Sequence, residues 1–509
     1  MSATPRIPAP TTERRDVAPA DLLSSARDLI VRGFRLALVA AHDDGPELRA
    51  VYVFTAGAPD RREELIVHID ATNPTVPSLA SLSFPASRFE REMRDLFGIE
   101  PIGHPQPRRL VLHQHWPEGW HPMRRDPGVA PPMVEEAAPY PFVSVEGPGV
   151  YEVPVGPVHA GLIEPGHFRF FVVGETILRM KARLWFVHKG IERLVEGQTV
   201  EQGLEVAQRI SGDTTVGHGL AYLLAAESAL GIEVDPERQR LRAVLVEMER
   251  LYNHVADLGA LCNDVAFSVA NSLALTIRED LLRLNEAVTG HRLMRGALVL
   301  GGVRLRSIPT REQLDGAAEG VRQLHAMVRN NALVLDRFAG TAVLGELDAR
   351  ELGVLGVVAR SSGGSLDARV AHPFVAMPEA FRVATATSGD VSARFAVRAQ
   401  EIEVSLDCLR AWCDEGLGQE ATDGVASLKV GRAGGASGLS SGLGIVEGWR
   451  GTIVHRLELD SDERIRRLKV VDPSFFNWPA LPVSLADTIL PDFPLANKSF
   501  NLSYAGNDL

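Results

Sequence analysis

Between Val234 and Cys262 the chain repeats its apolar residues at the three- and four-residue spacing of a helix, and this long run narrows the folds open to it. The stretch VDPERQRLRAVLVEMERLYNHVADLGALC starts with Asp235 at an N-cap position and Pro236 at the first helical one, where its missing N–H costs nothing. Similar patterns cover Ala270 to Leu293, Arg311 to Phe338 and Pro378 to Asp414, so the expectation is a bundle of helices packed on their apolar stripes. At 509 residues the chain exceeds what one core usually organises, and two or more domains are expected.

The segments around the bundle read differently. Residues 1–20 are rich in Arg and Pro and form a flexible lead, without the apolar core of a secretion signal. Asp21 to Val31 has helical periodicity, and three runs of β-formers follow: FRLALVA, RAVYVFT and ELIVHID. An amphipathic helix in SFPASRFEREMRDLFGIEPIGHPQPRR closes this small α/β domain, 21–116, and a proline-rich linker, 117–148, follows. The second domain, 149–509, begins with strands in YEVPVGP and HFRFFVVGE, continues through the helices, and returns to strands in GTIVHRLELD and RIRRLKVVD. The preceding stretch GRAGGASGLSSGLGIVEGWRG uses glycine either for flexibility or for close backbone approach. The fold class expected is α+β, a small α/β domain followed by a mainly helical one with flanking strands.

Composition sets limits on function. With 53 Lys and Arg against 65 Asp and Glu the formal charge is -12, which argues against a nucleic-acid binder that works by neutralising phosphates. The best apolar run, Ala297 to Val303, is interrupted by Gly301 and Gly302 and is far too short to span a bilayer, so membrane association is expected only through partners. Three cysteines, Cys262, Cys408 and Cys413, are too few and too badly spaced for a disulfide framework or a zinc site and read as small buried hydrophobes.

SRFEREMRDLFGIEPIGHPQPRR resembles the signature of the small peripheral subunit of respiratory complex I, found also in related hydrogenases. From Val153 onward the chain resembles the partner large subunit, in VPVGPVHAGLIEPGHFRFFV, WFVHKGIERL, RISGDTTVGHGLAY, LVEMERLYNHVADLG, AHPFV, VEGWRG and FNWPAL. The motif order is similar to that of the formate hydrogenlyase large subunit, in which both units are fused. That resemblance implies a membrane-associated, cytoplasmic-side subunit of a hydrogenase-like or NADH:quinone oxidoreductase-like complex. It also implies an iron–sulfur partner related to the hydrogenase small subunit and membrane-embedded antiporter-like partners. The departures matter more. Members with a nickel–iron centre hold it with thiolates from R-x-C-G-x-C and D-P-C-x-x-C, whereas here the motifs read Arg209-Ile210-Ser211-Gly212-Asp213-Thr214 and Asn501-Leu502-Ser503-Tyr504-Ala505-Gly506. Hydroxyls are poor, normally protonated ligands and glycine offers none, so no nickel centre and no hydrogen chemistry are expected. The sequence runs only three residues past Gly506, so no tail for removal after metal insertion is expected. No cofactor is expected on this chain, iron–sulfur clusters are expected on a partner, and a quinone is a possible substrate.

The resemblance supplies candidate site residues, each with a plainer alternative. His188 and Glu192, at i and i+4, form a proton-relay pair if they share a helix face and burial raises the glutamate, or else a structural hydrogen-bonded pair. Ser211, Asp213, Thr214, His218 and Ser503 surround the former metal position as a ligand cavity or as a polar plug. Arg450, in GWRG, faces that cavity or pairs at the surface. His159 matches a loop histidine of the quinone-binding relatives, Ile163 falls where their second one stands, and His167 replaces it only with a different loop length. Their catalytic tyrosine aligns at or next to Gly212. His254 reads as a satisfied core histidine, while Asp367 and His372 match a position near the cavity. Glu90, Arg91, Glu92 and Asp95 form either a solvated helix face or a docking surface between the two units.

Overall fold

The computed structural model describes residues 7–135, 140–159, 161, 163–415, 417 and 439–509. The first unit is a four-stranded sheet of order β1-β4-β3-β2, formed by β1 (Thr11–Asp16), β2 (Arg35–Asp43), β3 (Glu47–Ala56) and β4 (Arg61–Asp70). Helices α1 (Leu22–Val31) and α2 (Phe84–Phe97) accompany it, and the short β5 (Thr75–Pro77) and β6 (Glu100–Ile102) pair in parallel. Residues 11–16, expected in a flexible lead, form an edge strand instead. TTERRD has six exposed residues, so the strand exists through parallel backbone pairing with β4 and the ion pairs Arg14–Glu64 and Arg15–Glu63, neither of which leaves an apolar pattern to read.

β7 (Val150–Val155), β8 (His167–Val173) and β9 (Thr176–Arg183) make an antiparallel sheet at the start of the second unit. Two short helices, α3 (Ile191–Leu194) and α4 (Val200–Ala207), lead to the bundle of α5 (Thr215–Leu230), α6 (Pro236–Asp264) and α7 (Ser268–Thr289). The two-residue strands β10 (Leu298–Val299) and β11 (Gly302–Val303) precede α8 (Arg311–Arg329), α9 (Ala332–Phe338), α10 (Glu346–Leu352), α11 (Gly356–Ser361), α12 (Ala368–Ala371) and α13 (Val391–Asp414). A last antiparallel sheet, β12 (Ser440–Glu447), β13 (Thr452–Leu459) and β14 (Ile465–Val471), is followed by α14 (Pro473–Asn477), α15 (Ala480–Ser484), α16 (Phe493–Phe500) and α17 (Tyr504–Asp508).

The long helix α6 forms as its period and its cap require, with the Asp235 carboxylate accepting from the Glu237 N–H. The expected single helix from Arg311 to Phe338 is two, because the Asn331 side chain caps a new start by accepting from the Val334 N–H. The helix expected from Pro378 begins only at Val391. Gly389 there has φ 64° with its Cα against the Leu344 carbonyl, and Asp390 caps the first turn by accepting from Ala393.

One hydrophobic core fills the helix bundle. A second joins both units, uniting Leu36, Val51 and Phe89 of the first with Phe168, Phe170, Phe475 and Trp478 of the second. Phe89 on α2 stacks on Phe475 at 4.6 Å and meets Phe476 edge-on at 5.9 Å. β2 is therefore covered by α2 and touched by β13 and β14, which explains why its residues 36–42 are all buried.

In β12, glycine serves close approach. A Cβ on Gly442 would lie 2.0 Å from the Ala225 carbonyl oxygen, and one on Gly444 would lie 1.9 Å from that of Ala221. The backbone of β12 thus rests directly on α5, while 431–438 of the same glycine-rich stretch lie outside the described residues. Gly444→Ala is expected to destabilise the chain by about 2 kcal/mol or more in urea unfolding, the cost of forcing a methyl into a closed contact. A loss below a few tenths would show that this packing yields.

Candidate functional site

Two segments almost three hundred residues apart meet at the start of α5. The Ser211 hydroxyl lies 2.9 Å from that of Ser503, which also caps α17 by accepting from the Gly506 N–H at 2.8 Å. Since Ser211 also donates to Asp213 Oδ1 at 2.9 Å, Ser503 is the donor to Ser211, and the proton order of this chain of hydroxyls is set. Thr214 donates to the same Asp213 oxygen at 2.9 Å and accepts from the indole N–H of Trp449 at 3.1 Å.

Arg450 closes the cluster. It grips both carboxylate oxygens of Asp213 at 2.7 and 2.6 Å, donates through Nε to the Asn501 carbonyl at 2.6 Å, and lies 3.9 Å over the Trp449 ring. The Asp213 backbone carbonyl accepts from Asn253 at 2.9 Å and Tyr252 at 3.2 Å, both on α6. Dehydration pushes the Asp213 carboxyl up, but the guanidinium and the two hydroxyls outweigh it and hold it at about 2. Asp213 keeps 38% of its side chain exposed, so it stands at the outer edge of a cluster whose other members are buried.

His218 is held by Asp472 and His455 and not by the serines. Its Nε2 meets Asp472 Oδ2 at 3.0 Å and its Nδ1 meets His455 Nε2 at 3.1 Å, with all three side chains buried. Asp472 also occupies the space beside Gly506, where a Cβ would fall 2.6 Å from its carboxyl carbon.

The N-terminal region, residues 16–131, matches the family model for the respiratory-chain NADH dehydrogenase 30 Kd subunit, and residues 264–427 match that for the 49 Kd subunit. Formate hydrogenlyase subunit 5 of Escherichia coli (strain K12) is 31% identical over 460 residues, covering 87% of this chain and 78% of the relative. Hydrogenase-4 component G of the same organism is 32% identical over 445 residues, covering 86% and 77%. This chain belongs to the complex I and hydrogenase large-subunit family. The C/D protein of the NADH-quinone oxidoreductase of Phocaeicola vulgatus is 28% identical over 438 residues, covering 80% and 82%. The fold is shared with a chain of the archaeal membrane-bound sulfane sulfur reductase, with a TM-score of 0.64, 23% identity and coverage of 71% of this chain and 99% of that one.

Within this family the four positions at which the nickel-binding motifs carry thiolates hold Ser211, Thr214, Ser503 and Gly506. They do not fit a nickel–iron centre. The hydroxyls are spent on one another and on Asp213, and the fourth position lacks room for any side chain while Asp472 stands there. Among the described residues no group of three or more His, Cys, Asp or Glu side chains is arranged to hold a metal ion. The cysteines are free, and burial pushes the Cys262 and Cys408 thiols up to about 12.

The expected helix face shared by His188 and Glu192 does not form. Gly190, at φ 68°, breaks the segment before α3, leaving His188 exposed with Nδ1 2.6 Å from the Asp508 carbonyl oxygen. Glu192 is buried between Arg467 at 2.7 Å and Lys469 at 3.1 Å and accepts from the Val470 N–H at 3.0 Å. Burial favours its neutral form, but the two cations and that N–H prevail and hold it at about 2, the reverse of the upward shift a relay needs. His159 and His167 turn back on the backbone of their own loop, at Gly166 (2.8 Å) and Gly156 (3.1 Å), instead of joining the cluster. Exposed Ile163 lies on the same loop, which Glu164 ties to the C-terminal motif by accepting from the Ala505 N–H at 2.9 Å.

Of the four α2 residues, Glu92 reaches the second unit, 2.6 Å from Lys469. Glu90 accepts from Ser78 and Leu79, Asp95 from the backbone of Leu110, Val111 and Leu112, and Arg91 donates to the carbonyls of Arg108 and Arg109. They are not a solvated face, since Glu90, Glu92 and Asp95 are buried. Docking uses Arg88 as well, which donates to the Phe475 carbonyl and to Asn507. His372 meets Asp60 of the first unit at 2.8 Å, Asp367 pairs with Arg369 at 2.7 Å, and the core histidine His254 meets Glu401 through Nε2 at 2.8 Å while its buried Nδ1 lacks a hydrogen-bond partner among the described residues, so it is only half satisfied.

Sequence reasoning missed Glu249. It is buried on α6, and its two oxygens accept from the first-turn N–H groups of Val216 (2.6 Å) and Gly217 (2.9 Å), capping α5 where Thr214 does not. Burial pushes its carboxyl up to about 8, with the Asp213 charge adding to burial and the two N–H groups and Arg250 opposing it. Only the packing of α6 against α5 puts it there.

Glu192→Gln is expected to cost about 3–5 kcal/mol, because Arg467 and Lys469 lose a buried counter-charge. The folded pKa lies below the ordinary 4.5, so the stabilisation is present above that value and is lost as pH falls toward 2. Urea denaturation between pH 7 and 3 should narrow the gap between wild type and variant, and a gap independent of pH counts against this pairing.

Proposed function

We propose that this chain is the large peripheral subunit of a membrane-associated oxidoreductase of the hydrogenase and complex I kind, without a nickel–iron centre. In this reading electrons come from a neighbouring iron–sulfur subunit, related to the hydrogenase small subunit, and pass to a quinone or another small acceptor. The complex sits on the cytoplasmic face of the membrane through embedded antiporter-like partners. No helix among the described residues is long and apolar enough to cross a membrane, so those partners supply the anchorage. The observation that carries the reading is the Ser211–Ser503–Asp213–Arg450 cluster, in which the family's two metal motifs, with no thiolate in either, are joined by the arginine of the β12–β13 turn.

Reduction of a quinone takes two electrons and two protons. Asp213, held near 2, has no proton to give at neutral pH, whereas Glu249, near 8 and behind the first turn of α5, has. Facing Glu249 are the Asp213 charge, the Arg250 guanidinium and the two α5 amides.

A second reading is favoured by the closure of the cluster. Direct Ser211–Ser503 contact and the Asp472 carboxylate beside Gly506 suit a plugged scaffold that couples movements between partners without catalysis.

Purification of the native complex from membranes, with quinone-dependent electron transfer and elemental analysis, separates these readings. Glu249→Gln is expected to lower transfer about 10²-fold, within the usual range for a positioned proton donor, and to remove a decline centred near pH 8. Unchanged transfer in an assembled variant favours the scaffold. Stoichiometric nickel in the wild type overturns both.

A further inference from the structure

One face of the β7-β8-β9 sheet gathers cations along β9. Arg169 on β8 stands opposite Lys181 on β9, with His167 opposite Arg183 and Phe171 opposite Arg179 in the neighbouring pairs of the same face. The alternate residues Phe168, Phe170, Val172 and Met180 are buried in the core, so register fixes which side the cations occupy. Like charges directly across a strand pair are destabilising, and the Arg169–Lys181 pair is one such.

Arg169 has a counter-charge in Glu152 at 3.3 Å. No carboxylate lies within ion-pair distance of Arg91, Arg108, Arg179, Lys181 or Arg183 among the described residues; Asp95 faces Arg91 and Arg183 from farther off, and its oxygen is already bonded to three backbone N–H groups. Arg91, Arg108 and Arg183 spend hydrogen bonds on backbone carbonyls, which satisfies their N–H groups but neutralises no charge. Arg179 and Lys181 have neither hydrogen bond nor ion pair among the described residues. Lys181 is lowered by burial and then by the charges of Arg179 and Arg108, the mark of cations crowded without relief.

Two of these side chains, Arg108 and Lys181, line a hollow of about 390 Å³ together with Gln106, Pro107 and Val143. Val143 on its wall is an exposed apolar group, 50% accessible. Cations beside exposed aliphatic groups match the mixed chemistry of a protein interface. The whole chain carries -12, which repels an extended polyanion such as a bilayer surface or nucleic acid, while leaving short-range pairing at a local patch intact.

We propose that this basic face, centred on Arg108, Arg179 and Lys181, docks an acidic protein subunit whose Asp or Glu side chains enter the hollow. Zero-length carbodiimide coupling of the native complex tests it directly, since that reagent joins an amine to a carboxylate only where the two already touch. Peptide mapping is expected to find Lys181 in amide linkage to an Asp or Glu of another subunit. The double variant Arg179→Glu, Lys181→Glu is expected to lose that subunit on gel filtration at moderate salt, with affinity lower by about tenfold or more. Arg322→Glu, a charge reversal on exposed α8, is the control and should retain it. Absence of the linkage together with retention of every partner by the double variant overturns the proposal. So does binding of the isolated chain to phosphatidylserine vesicles that the double variant abolishes, which reassigns the face to lipid.

Discussion

The pairing of Asp213 with Arg450 organises everything around it. One carboxylate and one guanidinium tie together the loop before α5, the turn between β12 and β13 and, through the Asn501 carbonyl, the C-terminal segment. Arg450 is buried, and a guanidinium out of water needs a counter-charge and filled hydrogen bonds, so it draws Asp213, Asn501 and Trp449 to itself. Asp213 in turn orients Ser211 and Thr214, and Ser211 receives Ser503. In members with the thiolate motifs, a metal centre cross-links these same segments. Here an ion pair and a chain of hydroxyls perform that mechanical task with ordinary side chains.

The same constraint, that a buried charge must be paired, shapes the rest of the interior. Where α6 packs against α11, α12, α13 and β12, Arg250 meets Glu247 and Glu401, Arg360 meets Glu401 and Glu447, and Arg369 meets Glu247 and Asp367. Between the units, Arg49 meets Glu458, Arg456 meets Glu64, and Lys469 meets Glu92. Desolvation takes back much of what such pairs contribute, so their value in net stability is modest. Their effect on geometry is larger, because any other register between the first sheet and the β13–β14 hairpin would leave several of these charges bare. The two units fit one way.

Much of this was legible in the residues, and the limits have physical causes. α6 was readable because its period runs for many turns and its cap is local. The break between α8 and α9 was not, because one Asn side chain turning back on the backbone decides it. The strand at Thr11–Asp16 depends on a partner fifty residues away, and its own side chains are all exposed and polar. At the site, the two degenerate motifs could be paired because each keeps its place in the family pattern. Glu192 could not be read correctly, since its state is set by Arg467 and Lys469 on a strand some 275 residues later. Asp472 and Glu249 carry no local motif, and only tertiary packing brings one beside Gly506 and the other beneath α5.

The hydrogen bonds already made by Arg450 narrow what the cluster can still receive. A guanidinium has five N–H groups. One at Nε is taken by Asn501, both at Nη1 by Asp213 and Thr214, and one at Nη2 by Asp213, which leaves a single Nη2 proton. Asp213 is the member that reaches solvent. A large or anionic ligand must displace Asp213 and so unpair Arg450 at a cost of several kcal/mol. The geometry therefore resists entry into the former metal position, because one buried arginine there is already almost fully satisfied.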